Sequence, residues 1–73
     1  MALEQVLLPM VGKILKVNIN VGDSVNEDDT IMTFESMKLE MPLMANIKGV
    51  VKEIKVQAGQ TVEADQVVAV IEY

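Results

Sequence analysis

The 73-residue sequence predicts an all-β fold: a flattened barrel or sandwich of two interlocked four-stranded halves with pseudo-two-fold symmetry, a barrel-sandwich hybrid. An internal repeat, period-2 alternation of apolar residues within each copy, and the lack of a convincing amphipathic helix together predict it. Sliding the chain by 37 residues lays Gly12 to Ser36 on Gly49 to Tyr73 without a gap. Gly12 then meets Gly49, Gly22 meets Gly59, Val25 meets Val62, Asp28 meets Asp65, and Glu35 meets Glu72. Apolar character is kept where Ile14 meets Val51, Val17 meets Ile54, Ile19 meets Val56 and Phe34 meets Ile71.

Each element follows from this pattern. Gln5 to Leu8 reads as a first strand. Val17, Ile19 and Val21 alternate with Lys16, Asn18 and Asn20, the signature of a half-buried strand. Ile54, Val56 and Ala58 repeat that alternation in the second copy. Gly22-Asp23-Ser24 and Gly59-Gln60-Thr61 supply turn chemistry, since glycine tolerates positive φ and polar neighbours bond nearby backbone. Glu27 to Asp29 and Ala64 to Gln66 are further solvated turns. Strands follow at Thr30 to Glu35 and Val67 to Glu72, with another at Leu39 to Met44. Ile14 and Val51 are both out of phase with the alternation after them, which predicts a bulge or corner at the same place in each copy. Met10, Met32, Met41 and Met44 read as core filler.

Composition bounds the function. The chain is a single domain over residues 1–73, and its 51% apolar content separates it from disordered tails despite a net charge of -5. There is no cysteine and no histidine, and all six cationic side chains are lysines. Cys-His and Ser-His-Asp nucleophile systems, histidine metal sites and arginine phosphate clamps are therefore excluded. An oxygen-only metal site stays open, but no EF-hand pattern surrounds Asp23, Asp28 and Asp29, and neither a metal site nor a catalytic group is expected. The acidic balance, with Phe34 and Tyr73 as the two aromatics, argues against a nucleic-acid partner. No apolar run reaches membrane-span length, and Glu4 interrupts the stretch a signal peptide would need. The expectation is a cytoplasmic protein with no membrane partner, monomeric as an isolated domain.

The join between the copies is Glu35-Ser36-Met37-Lys38-Leu39-Glu40-Met41, with 37 residues before Lys38 and 35 after it. Symmetry-related halves require a reversal here, which places Lys38 at an exposed hairpin tip. Tight hairpin turns favour asparagine and glycine, so Met-Lys breaks a local rule at the symmetry point, as functional sites do. An exposed tip lysine suits amide formation with a carrier cofactor, with Met37 and Leu39 as apolar handles on either side. Lysine amines are overwhelmingly protonated near neutral pH, so the modifying enzyme has to supply the base or the desolvation. The plainer reading stands beside this one: the segment also alternates, and a lone lysine on an amphipathic strand is ordinarily a solvated side chain. Lys13 and Lys48 beside glycines read as turns, and Lys16, Lys52 and Lys55 on polar strand faces, lack even the symmetry argument.

Over nearly the whole chain the sequence resembles the biotinyl/lipoyl attachment family, of the biotin carboxyl carrier type. Ser36-Met37-Lys38-Leu39 stands where biotinyl members carry Ala-Met-Lys-Met, followed by the matching Glu40. Leu8-Pro9-Met10-Val11-Gly12 and Ala45-Asn46-Ile47-Lys48-Gly49 stand where the family has Ala-Pro-x-x-Gly. Ser36, Leu39 and Asn46 depart from those patterns. The resemblance implies covalent biotin on Lys38, and a biotin protein ligase that reads Met37, Leu39, Glu35, Ser36 and Glu40. It implies a non-catalytic swinging arm carrying a carboxyl group between biotin carboxylase and carboxyltransferase or decarboxylase components. The gapless first repeat leaves no room for the protruding loop of the bacterial acetyl-CoA carboxylase carrier. Lipoyl relatives present Asp-Lys-Ala, so Met37 favours biotin, with lipoate on Lys38 the alternative and an unmodified assembly domain a third reading.

Overall fold

A computed structural model describes residues 1–73 and contains eight strands. They are β1 (Leu3–Leu7), β2 (Gly12–Val17), β3 (Ser24–Val25), β4 (Thr30–Ser36), β5 (Leu39–Met44), β6 (Gly49–Ile54), β7 (Thr61–Val62) and β8 (Val67–Glu72). All pairings are antiparallel, in two four-stranded sheets ordered β1-β8-β6-β3 and β5-β4-β2-β7. Advancing every strand by four positions turns one order into the other. Each sheet therefore takes two strands from each copy of the repeat, which is the interlocking expected from the sequence. No helix is long and apolar enough to cross a membrane.

The repeat survives in the packing. The core cluster of 16 residues divides wholly into pairs 37 apart, from Val6 with Leu43 and Leu8 with Ala45 through to Met32 with Ala69 and Phe34 with Ile71. Neither half has an apolar face of its own to bury except against the other, so the halves fold as one unit. Turns of one copy close over strands of the other. The Gly59 N–H donates to the Ile14 carbonyl at 2.7 Å, and the Gly22 N–H to the Val51 carbonyl at 2.8 Å. Short side-chain bonds repeat as well: Asp23 accepts from the Asn20 N–H, and Gln60 from the Gln57 N–H.

The expected phase break is a β-bulge in both copies. Register slips between Ile14 and Lys16 in β2, and between Val51 and Glu53 in β6. The extra residue, Leu15 or Lys52, turns both Ile14 and Val17, or Val51 and Ile54, toward the core although they are three apart. Some expectations are corrected. The strands drawn through Val21 and Ala58 stop at Val17 and Ile54, because the chain leaves the ladder there to reach the Gly22 and Gly59 turns. Ile19 and Val56 are still buried, whereas Val21 is exposed. The two-residue strands β3 and β7 begin inside segments read as turns. Met32 is a core residue and Met10 and Met41 pack against the core, but Met44 is 46% exposed on edge strand β5.

Gly12 and Gly49 are not turn glycines. They open β2 and β6, where the backbones run too close for a side chain. A Cβ on Gly12 would lie 2.7 Å from the Glu35 carbonyl oxygen, and one on Gly49 would meet the Glu72 carbonyl more closely still, with the Ile71 side chain at 2.7 Å. Backbone cannot retreat as a flexible side chain can. Gly49→Ala is therefore expected to cost about 1–3 kcal/mol from overpacking, read as a lower urea midpoint at unchanged m-value. A midpoint equal to wild type would show that β6 and β8 can separate freely.

Candidate functional site

The sequence's midpoint is a two-residue hairpin. Strands β4 and β5 pair as Phe34↔Met41, Glu35↔Glu40 and Ser36↔Leu39, leaving Met37 and Lys38 as the turn. Their φ angles are 53° and 65°, the left-handed pair that a type I′ turn demands. Such a conformation costs a residue with a Cβ about 1–2 kcal/mol. The ladder below holds it in place. Phe34 is 2% exposed beneath the turn, and Ser36 Oγ donates a 2.8 Å hydrogen bond to the Val11 carbonyl.

Lys38 is exposed and takes part in no ion pair; the one salt bridge of the structure joins Lys55 and Glu53. Its amine is carried on a strained turn and is open to solvent. On either side Met37 is 80% and Leu39 62% exposed, a high exposure for two large apolar side chains in so small a domain. Below them Glu35 and Glu40 stand directly opposite each other, both exposed, and Lys13 pairs with Glu35 from β2. Like charges facing across a ladder are unfavourable, and Lys13 opposite Glu35 offsets part of that repulsion.

The structure thus brings all six sequence-derived candidates, Glu35, Ser36, Met37, Lys38, Leu39 and Glu40, onto one hairpin end. Ser36 differs from the others because it is the sole buried polar side chain and faces inward. Sequence reasoning missed Val11, which reaches the tip through its carbonyl; nothing local in Pro9-Met10-Val11 signals a contact 25 residues away. No group of three carboxylates could hold a metal ion. The one surface concavity, along Ile54–Gln57 and Gln60, brings together no nucleophile and base. The tip's chemistry is that of a presented amine.

Comparison with known proteins agrees in kind. A family model described as biotin-requiring enzyme matches residues 4–71. The chain is 50% identical over 56 residues to the biotin carboxyl carrier protein of Streptococcus mutans, covering 77% of this chain and 43% of that one. It is 34% identical over 68 residues to the biotinylated protein TB7.3 homolog of Mycobacterium leprae, covering 93% of this chain and 96% of the relative. Among solved structures, Kluyveromyces lactis urea carboxylase superposes with a TM-score of 0.91 at 35% identity, over 99% of this chain and 6% of that one. The chain therefore spans less than half the length of the first of these relatives and a small part of the carboxylase.

Proposed function

The chain belongs to the biotin/lipoyl attachment domain family, whose members are typically non-catalytic carriers, and on that premise we propose that Lys38 is its point of biotin attachment. The observation that carries the proposal is the exposed Met37–Lys38 turn, held at positive φ on both residues. Lys38 loses a proton to the ligase, and Nζ attacks the carbonyl carbon of a biotinyl-adenylate. The N–C amide bond forms, the C–O bond to the phosphate breaks, AMP departs, and a second amine proton is lost. When bound, biotin supplies a ureido nitrogen that takes up a carboxyl group in one active site and gives it up in another.

The domain's own residues supply placement. The turn holds the attachment point away from the strands, and Met37 and Leu39 offer apolar area to partners. Glu35 and Glu40 surround the base of the arm with negative charge that discourages permanent burial. A tether of this kind keeps the cofactor at high effective concentration at each partner site. Biotin carboxylase and carboxyltransferase or decarboxylase components, as in the carboxylases to which the chain is similar, are the proposed partners.

Incubation with biotin, ATP and a biotin protein ligase is expected to add one biotinyl group to the intact mass. If lipoate ligase modifies the chain and biotin ligase does not, the cofactor is lipoate. Modification by neither enzyme would overturn the carrier reading.

A further inference from the structure

Two observations set Val11 apart from the other exposed apolar residues, and a third frees its side chain from a folding role. First, it lies beside the tip. β2 pairs antiparallel with β4 as Lys13↔Glu35, so Val11, two residues before Lys13, lies at the same end of the sheet as Met37, two residues after Glu35. Second, its position is specified: Ser36, 6% exposed, spends its hydroxyl on the Val11 carbonyl at 2.8 Å. Third, the scaffold does not need an apolar side chain there. The pseudo-two-fold equivalent of Val11 is Lys48, and that of Leu39 is Ala2, each exposed and serving the same framework. Folding is satisfied by lysine and alanine at one end, yet the Lys38 end exposes Val11 at 51% beside Met37 and Leu39.

We propose that Val11 is a third apolar element of the surface that receives the biotin protein ligase, and that Ser36 is a positioning residue that holds it beside Met37. The inference rests on Lys38 being the attachment lysine and extends the docking surface from the hairpin to the β1–β2 loop. The occupant is the ligase because the patch surrounds the amine that the ligase must reach. Its complementary surface is an apolar recess over Val11, Met37 and Leu39, with cationic groups facing Glu35 and Glu40.

Steady-state biotinylation of the intact chain tests this, with thermal melting alongside. Val11→Lys places at this site the residue its symmetry mate already carries, so the fold should persist. KM for the domain is expected to rise about tenfold, the loss of one buried valine's contact area, at unchanged kcat. Val11→Ala should raise it by a smaller factor and covers the case in which the lysine variant melts early. Ser36→Ala should raise KM at unchanged kcat, and Ser36→Thr, which keeps the hydroxyl, should restore it. Val21→Lys, an exposed apolar position in the turn at Gly22, serves as the control and should match wild type. Labelled wild type with Val11→Lys and Val11→Ala both within about twofold of it in KM, a difference near the smallest such contacts produce, would overturn the proposal. An unlabelled wild type would instead sink the biotin assignment on which it rests.

Discussion

Lys38→Arg is expected to leave the chain's mass unchanged after exposure to either ligase, while its melting curve overlays that of wild type. Arginine keeps the positive charge and a long aliphatic stem, and its Cβ meets the same left-handed turn as lysine's. What it lacks is an amine that can be deprotonated, since the guanidinium stays charged under all protein conditions. The acylation step therefore has no nucleophile, and labelling falls to zero and not to a fraction. Lys38 is exposed and unpaired in any salt bridge, so its stability contribution should lie within about 0.5 kcal/mol, as for ordinary surface sites. Two results would count against the assignment. Residual labelling would move the acceptor to Lys13, Lys16, Lys48, Lys52 or Lys55, which are also exposed. A large drop in melting temperature would make Lys38 a structural residue.

Phe34→Ala should have the opposite signature, a large loss of stability with labelling lowered only as far as the fold is lost. Phe34 is the largest fully buried side chain, sits on an interior strand, and lies under the turn that carries Lys38. Its truncation is expected to cost about 3–5 kcal/mol. A chain of 73 residues has roughly 4–11 kcal/mol of total stability at the usual per-residue value. The melting temperature should fall by some 12–40 °C on the scaling for domains of this size, which scanning calorimetry would measure. Phe34→Leu, which leaves most of the volume filled, should lose much less. If Phe34→Ala melted within a few degrees of wild type, the shared core would not be what holds the halves together.

Much of this was legible from spacing. The 37-residue repeat located the pseudo-symmetry and placed the strands Thr30–Glu35, Leu39–Met44 and Val67–Glu72 within one residue of their bounds. The phase break at Ile14 and Val51 located both bulges. Two things were harder to read. Past Val17 and Ile54 the alternation is real only at Ile19 and Val56, which still turn inward after the hydrogen-bonded ladder has ended, while Val21 and Ala58 are exposed. The two-residue strands β3 and β7 are too short for any period to register, and they exist because Val25 and Val62 pack into the common core opposite Gly49 and Gly12.

By itself the sequence determined the architecture and the place of the candidate lysine. A repeat of apolar spacing allows few ways to bury two equivalent faces, and its midpoint has to be a reversal. Tertiary structure alone decided what surrounds that lysine. The left-handed φ of Met37 and Lys38, the Glu35–Glu40 opposition, the exclusion of a Cβ at Gly12 and the Ser36–Val11 bond all join residues through strand pairing or close backbone approach. Periodicity reports which face a residue takes along its own strand. Which backbone arrives beside it depends on how the two copies interlock, and that is set only when the sheets close over their shared core.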